Sequence, residues 1–247
     1  MFTVEDRRQV RERLLERARN DTRVVAGAEI GATAGGGGDR WSDVDLTFGV
    51  ADDSNVADVL ADWTPDLAAT FAAVHLFDVN FLSSVYRVFL LPGNLQVDLS
   101  FTPRAEFGAL GPKFTLLFGS AVERKFPEPP SAAHIFGMGA HHAVRARICI
   151  ARGRVWQAEY WISGVRDQAL ALACRLRDLE PGVGRGFDNL PADVLAPMEA
   201  ALVRSLKPAE LMRALNCAVD CLLTVASARP ELAAGIEGQL RDLVQEW

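Results

Sequence analysis

The sequence lacks the features that mark membrane-spanning, secreted and disulfide-bonded proteins. No apolar run approaches the roughly 20 residues of a spanning helix, and the chain begins with a charged amphipathic segment where a secretory leader would be apolar. The 4 cysteines lie in apolar stretches of the second half without a CxxC pair. Cys217 and Cys221, four residues apart, would need further ligands to bind a metal. This cysteine usage is typical of buried thiols in a reducing compartment, so we expect a cytoplasmic protein with no membrane partner.

An excess of basic residues is also missing. The chain has 26 Lys and Arg residues against 32 Asp and Glu residues, which gives a net charge of −6. Proteins that bind duplex nucleic acid neutralise its phosphates with Lys and Arg, so this balance argues against such a partner. The balance tolerates a cationic small molecule, and it gives no indication of the oligomeric state.

Two standard nucleotide-binding motifs are absent as well. The sequence contains no Gly-Lys-Ser or Gly-Lys-Thr of a P-loop and no complete Gly-x-Gly-x-x-Gly. The composition is that of a folded globular protein, with 49% apolar and 23% charged residues. A length of 247 residues suits one large domain or two smaller ones.

The first part of the chain alternates between helical and strand-like patterns, which predicts a mixed sheet with flanking helices. One side of the helix predicted over residues 4–20 carries five apolar residues: Val4, Val10, Leu14, Leu15 and Ala18. Strands are predicted over residues 23–28, 43–50, 73–82, 85–91 and 95–101. A glycine-dense loop covers residues 31–40, and a short helix with Ser54 as its N-cap is predicted over residues 54–62.

The second part has a different texture, which predicts a helical bundle. Three prolines within residues 126–131 indicate an extended linker. The Ala- and Leu-rich segments that follow predict helices over residues 132–151, 155–178, 192–204, 208–227 and 230–246. Pro208 and Pro230 stand at predicted first turns. The predicted class is therefore α+β, with domains over residues 1–125 and 132–247.

The most informative motif is the pair of carboxylates at Asp43 and Asp45. Alternate residues of a strand point the same way, so these two share one face while Val44 and Leu46 take the other. Paired carboxylates repel unless a cation neutralises them, and carboxylate oxygens are typical ligands of Mg²⁺. Asp98 lies on the polar face of another predicted strand. If the two strands are neighbours, three carboxylates meet in one metal site.

The glycine loop immediately before this strand is suited to bind an anion. Residues 31–38 contain five glycines, which accept positive φ angles and have no Cβ. Such a loop can bring backbone N–H groups close to phosphate oxygens. The combination with two carboxylates at a fixed spacing is far more specific than either feature alone.

Together these motifs resemble those of the nucleotidyltransferase superfamily, which includes small-molecule antibiotic adenylyltransferases. That family's signature is Gly-Ser, a short loop and Asp-x-Asp-Leu, with a third carboxylate on a later strand. Gly31 stands twelve residues before Asp43, Ser42-Asp43-Val44-Asp45-Leu46 matches the signature strand, and Asp98 matches the third carboxylate. The resemblance covers about residues 20–102, and the helical second part resembles the family's substrate-binding bundle.

The resemblance implies transfer of a nucleoside monophosphate from a nucleoside triphosphate, ATP first among them, to a hydroxyl group. Mg²⁺ would be bound by Asp43, Asp45 and Asp98. The nucleotide would contact five residues of the loop and strand: Gly31, Ala32, Thr33, Arg40 and Ser42. The acceptor would be a hydroxylated small molecule, similar to an aminoglycoside or a lincosamide, that lies between the two units. Glu159 would bind its amine or act as a general base, and the alternative for Glu159 is an ion pair.

One position departs from the pattern and leaves other hypotheses open. The family's phosphate-binding serine is Ala32 here, and the lost hydroxyl bond to a charged group is worth about 1.5–3 kcal/mol. The chain is then either an enzyme with weaker nucleotide binding or a non-catalytic nucleotide-binding or interaction module. A third hypothesis is nucleotidyl transfer to a macromolecule.

Overall fold

The chain forms a mixed α/β unit followed by a helical unit. The structure is a computed structural model that describes residues 1–126 and 128–245. Residues Met1–Glu128 form one compact unit, and a second begins at Pro129. The predicted α+β class, a mixed sheet with flanking helices followed by a helical bundle, is confirmed.

The first unit is built on a six-stranded sheet. Within residues 1–126 the helices are α1 (Val4–Asn20) and α2 (Val56–Phe71), and the strands are β1 (Val24–Ile30), β2 (Val44–Val50), β3 (Val74–Phe81), β4 (Ser84–Leu91), β5 (Leu95–Pro103) and β6 (Phe114–Phe118). The strand order is β3-β4-β5-β2-β1-β6. Strands β2 and β5 are parallel, and the other neighbouring pairs are antiparallel. The two central strands β5 and β2 therefore lie side by side, as the metal hypothesis required.

One face of this sheet packs against α1 and α2 and forms the main core of the unit. Strand β2 buries Leu46, Phe48 and Val50 on this face, and α2 contributes Trp63. The rings of Phe48, Trp63 and Phe101 pack together with centroids 5.0–5.4 Å apart. Because side chains alternate along a strand, the polar residues of β2 and β5 must lie on the opposite face.

Helix α1 has the predicted bounds and is fixed at both its start and its middle. Thr3 and Asp6 form a reciprocal capping box at its first turn. Arg11 makes two hydrogen bonds, of 2.8 and 2.9 Å, to the buried carboxylate of Glu29 on β1. The prediction was wrong for Val4, which is 51% exposed because it is the first residue of the helix and lies beyond the sheet-facing stripe.

Two predictions in the first unit need correction. Helix α2 begins at Val56 with Asn55 as its N-cap, so Ser54 is not the cap: the Asn55 side chain accepts a 2.7 Å hydrogen bond from the Ala57 amide. The helix continues through Pro65 to Phe71, because its second half buries Leu67 in the core. Strand β6 was not predicted, since its apolar sequence has no clear period-two alternation.

The second unit is helical throughout its described residues. Its helices are α3 (Ala132–Ala151), α4 (Val155–Arg175), α5 (Ala192–Ala200), α6 (Pro208–Ala226) and α7 (Glu237–Val244). Pro208 occupies the first turn of α6, as predicted. The helix predicted over residues 230–246 is instead a 3₁₀ turn at Pro230–Leu232 followed by α7, and residue 246 lies outside the described residues. Helices α4 and α5 end earlier than predicted.

The cysteines belong to this second unit and are mostly buried. Cys149, Cys174 and Cys221 are buried, Cys217 is half-buried, and none forms a disulfide. This agrees with their prediction as small core residues. Part of the predicted 126–131 linker, residue 127, lies outside the described residues. Among the described helices, none combines the length and the apolar character needed to cross a membrane.

Candidate functional site

The candidate site starts with two carboxylates at the beginning of β2. Asp45 is the second residue of the strand, and Asp43 immediately precedes it. Val44 and Leu46 point into the core, so Asp45 projects from the opposite face of the sheet. Both aspartates are half-buried.

The third carboxylate lies directly beside them on β5. In the parallel ladder between β2 and β5, Asp45 is the register partner of Asp98. One carboxylate oxygen each from Asp43, Asp45 and Asp98 lies within 4.8 Å of the other two. Within residues 1–126 and 128–245, no other group of three His, Cys, Asp or Glu side chains is arranged to hold a metal ion. The predicted convergence of the three carboxylates is therefore present in the structure.

The surroundings of Asp98 oppose its negative charge. Burial raises the pKa of Asp98 above its ordinary value, and the neighbouring Asp43 carboxylate raises it further. The Gln96 amide acts in the opposite direction, because it donates hydrogen bonds of 3.0 and 3.2 Å to the two Asp98 oxygens. Three close, half-buried carboxylates with hard oxygen donors fit a divalent cation such as Mg²⁺.

The glycine loop folds directly onto Asp45. Residues Gly31–Gly36 form a short 3₁₀ segment at the end of β1. Gly31 has a φ of +74°, and a Cβ there would lie 2.1 Å from an Asp45 carboxylate oxygen. Only glycine permits this close approach of the backbone at this φ angle. The loop and the carboxylates thus form one continuous site.

Contacts from α1 hold the far end of the loop in place. The Ser42 hydroxyl accepts a 2.9 Å hydrogen bond from the Asp39 amide and donates to the Asp39 carboxylate at 3.2 Å. The Arg7 guanidinium donates to the carbonyl oxygens of Asp39 and Ser42 at 2.5 and 2.9 Å. Sequence reasoning missed Arg7 and Gln96. For Arg7 no local pattern could have revealed a contact that spans more than thirty residues.

The residues predicted to bind a nucleotide are placed differently from one another. Gly31 lies against the Asp45 carboxylate, and Ala32 is exposed beside it. The Thr33 hydroxyl is buried and has no hydrogen-bond partner among the described residues. The Arg40 guanidinium lies 4.1 Å from the ring centroid of the exposed Trp41. Nucleotide binding by these residues and by Ser42 stays a prediction.

Glu159 belongs to the second unit, on α4. Its carboxylate accepts a 2.8 Å hydrogen bond from the Ser163 hydroxyl one turn later. Arg166 on the same helix forms an ion pair with its neighbour Asp167 at 2.9 Å, as the alternative of surface ion pairs expected for Arg166. Trp156 and Tyr160 beside it are 75% and 66% exposed. The catalytic role of Glu159 stays a prediction.

Comparisons with known proteins show similarity to solved structures but not to known sequences. No family model matches the sequence, and no curated protein matches it. Among solved structures, the chain is similar to the crystal structure of an aminoglycoside 6-adenyltransferase from Bacillus subtilis, at 12% sequence identity and a TM-score of 0.41. The similarity covers 94% of this chain and 96% of the other.

We predict that Asp98→Asn makes the metal-free protein more stable at pH 7.5 and removes its response to Mg²⁺. A raised pKa in the folded state means that the protonated form contributes stability below about pH 4, and this is lost as the pH rises through the folded pKa. At neutral pH the charged Asp98 is therefore a cost, which the isosteric amide removes. Melting temperatures in EDTA and in Mg²⁺ measure both effects.

For the wild type, Mg²⁺ at 100 times its Kd should stabilise the fold by about 2.7 kcal/mol, or about 5–10 °C. The exposed Asp52, in the loop after β2, provides the control: Asp52→Asn should keep the wild-type response. An equal Mg²⁺ response in Asp98→Asn would show that the carboxylate cluster does not bind the metal.

We also predict that Gly31→Ala weakens Mg²⁺ binding, because its methyl group displaces Asp45. The substitution combines an unfavourable φ angle with a steric clash and should destabilise the unit by more than about 1 kcal/mol. Gly36→Ala is a matched control, since Gly36 has a φ of +83° but open space around its Cβ position. Isothermal titration with Mg²⁺ should show weaker binding for Gly31→Ala alone; equal affinities would contradict the contact.

Proposed function

We propose that this protein is a nucleotidyltransferase that moves a nucleoside monophosphate from a nucleoside triphosphate, ATP first among them, to a hydroxyl of a small molecule. The observation that carries the proposal is the cluster of Asp43, Asp45 and Asp98 within 4.8 Å, beneath a glycine loop that touches Asp45. The cluster supplies ligands for a divalent cation, and the loop supplies backbone close to the same point. Both are needed to bind a metal-triphosphate.

In the proposed reaction the acceptor oxygen forms a bond to the α-phosphorus while the bond between the α-phosphorus and its bridging oxygen to the β-phosphate breaks. Pyrophosphate leaves, and the hydroxyl proton passes to a carboxylate. Asp98 is suited to accept that proton, because its carboxylate lies in the same cluster as Asp43 and Asp45, next to the proposed reacting phosphate. The backbone at Gly31 and Ala32 orients the phosphates. Bound Mg²⁺ would neutralise charge on the phosphate oxygens.

We assign acceptor binding to the helical unit. Trp156 and Tyr160 lie one helical turn apart on α4. Both expose large ring surfaces, which suit stacking on a sugar or other ring. Glu159 lies next to them and can bind an amine of the acceptor. In this proposal residues 1–125 are the catalytic domain and residues 132–247 the substrate-binding domain. Aminoglycoside- and lincosamide-like compounds are the first acceptors to test.

A second candidate function is a non-catalytic nucleotide-binding or interaction module. Ala32 favours it, since this exposed position has no hydroxyl for the phosphates. The two functions differ in whether pyrophosphate is released. Mg²⁺-dependent binding of ATP without turnover on any acceptor would support the module.

We predict that the purified protein releases pyrophosphate from one of the four nucleoside triphosphates in a screen of hydroxylated compounds. Asp43→Asn should lower kcat/KM by about 100-fold or more, because it removes one of the charges that position the metal-triphosphate. Asp52→Asn removes an exposed charge outside the cluster and should leave the rate unchanged. Full transfer activity in Asp43→Asn would refute the proposed role of the cluster.

We further predict that Ala32→Ser strengthens binding of the nucleoside triphosphate. A new hydroxyl bond to a charged phosphate is worth about 1.5–3 kcal/mol, or about 10–150-fold in affinity. Fluorescence titration with an ATP analogue in Mg²⁺ measures the change, and Ala34→Ser is the control on the same loop. No gain at position 32 relative to position 34 would show that the loop does not contact the phosphates there.

A further inference from the structure

A second, differently charged feature lies further along the same face of the sheet. The register of β2 and β5 places Thr47 beside Ser100 in the polar row that follows Asp45 and Asp98. At about 3.3 Å per residue, Thr47 lies about 7 Å along β2 from Asp45, and Thr102 about 13 Å along β5 from Asp98. Both threonines line a cavity of about 120 Å³ within the first unit.

Hydroxyl groups dominate the sheet side of this cavity. Its polar wall is formed by four residues of strands β2, β4 and β5: Thr47, Ser84, Tyr86 and Thr102. Three of them are buried: Thr47, Ser84 and Thr102 are 8%, 2% and 4% exposed. Hydroxyl groups can both donate and accept hydrogen bonds, so such a wall is suited to polar content in the cavity.

The pairing within the wall leaves donors available. The hydroxyls of Ser84 and Thr102 lie 2.7 Å apart, and one of them donates to the other. The hydroxyl that accepts can donate its own hydrogen to another acceptor. Among the described residues that line the cavity, none carries a carboxylate.

Two cations complete the lining from residues 108–124 (the covering segment). Lys113 and Arg124 both border the cavity. One Arg124 nitrogen donates to the Glu106 carbonyl at 2.9 Å, which fixes the side chain while its other N–H groups remain to donate elsewhere. The positive charge of Arg124 reaches Tyr86, because it lowers the pKa that burial of this phenol raises. The side chains of the cavity thus combine two positive charges with four hydroxyls and no negative charge.

The volume restricts the ligand to a small one. An apolar cavity of about 150 Å³ is known to hold benzene, which has six heavy atoms, whereas pockets for drug-sized ligands begin at about 300 Å³. A tetrahedral oxyanion with five heavy atoms fits in about 120 Å³. A nucleoside does not.

We propose that this cavity is a binding site for a tetrahedral oxyanion of the phosphate class. Charged acceptors such as phosphate form short, strong hydrogen bonds with guanidinium, ammonium and hydroxyl donors, which is the set that the cavity offers. The oxyanion is either free phosphate or a phosphate group of the acceptor in the proposed transfer reaction. Only the second source rests on the proposed function. This anion site is distinct from the carboxylate cluster, which takes a cation.

Titration of inorganic phosphate into the full chain in EDTA tests the site without metal at the carboxylates. Isothermal titration at constant ionic strength should detect saturable binding in the wild type. Arg124→Gln should weaken it by about tenfold or more, since a charge-assisted hydrogen bond is lost. Lys125→Gln, at an exposed residue next in the chain and outside the cavity lining, is the matched control and should bind as the wild type does.

Two further variants keep the test decisive if Arg124→Gln disturbs the covering segment. Lys113 is exposed, so Lys113→Gln alters the charge without altering the core, and it should also weaken binding. Thr102→Val removes a hydroxyl but no charge and should weaken binding as well. Absence of saturable phosphate binding in the wild type, or equal losses in Lys113→Gln and Lys125→Gln, would overturn the proposal.

The source of the oxyanion is distinguished by pairs of acceptors with and without a phosphate group. If the phosphate belongs to the acceptor, the phosphorylated member should give faster pyrophosphate release, and Arg124→Gln should abolish that preference. If inorganic phosphate binds but Arg124→Gln changes the rate of pyrophosphate release for neither member of a pair, the site takes the free ion. Failure of the proposed function would appear differently, as phosphate binding without pyrophosphate release from any pair.

Discussion

The parallel pairing of β2 with β5 is the constraint on which the site depends. Its register sets Asp45 opposite Asp98 and thereby places like charges side by side. A slip of one residue would move Leu46 and Leu99 to the polar face and turn the aspartates into the core. Because Phe48 and Phe101 pack with Trp63 on the core face, that slip is strongly opposed. The aromatic core therefore holds together carboxylates that repel one another.

The glycine loop adds a second constraint from the opposite direction. Gly31 lies so close to Asp45 that no side chain fits between them, and Arg7 on α1 binds the carbonyls at the loop's end. The loop, the carboxylates and the first helix are thus one mechanical unit. A site fixed in this way before a ligand arrives loses little conformational freedom on binding.

The local parts of this arrangement could be predicted from the sequence, and the long-range parts could not. Strict alternation around Asp43–Asp45 and around Asp98 correctly assigned each residue to a face, because a period of two depends only on the strand itself. The sequence could not predict that these two strands pair, because α2, β3 and β4 lie between them in the chain. Several strand orders would have kept the same alternation. The extension of α2 past Pro65 was missed for a related reason: burial of Leu67 is a tertiary effect that overrides the local signal of proline. Strand β6 has too short and too apolar a sequence to be told from a core segment.

The charge along the polar face of β2 and β5 changes from negative to positive within two to four residues, and this limits which ligands can bind across the face. Asp45 and Asp98 require a cation, whereas Thr47 and Thr102 face Lys113 and Arg124 across a cavity that favours an anion. An acceptor that spans both would present a hydroxyl to the carboxylates and an anionic group about 7–13 Å away, the distance set by the strand rise. The same sheet that fixes the metal ligands would then bind the anionic group of an acceptor whose rings contact the helical unit, because the carboxylates and the threonines stand on one rigid pair of strands.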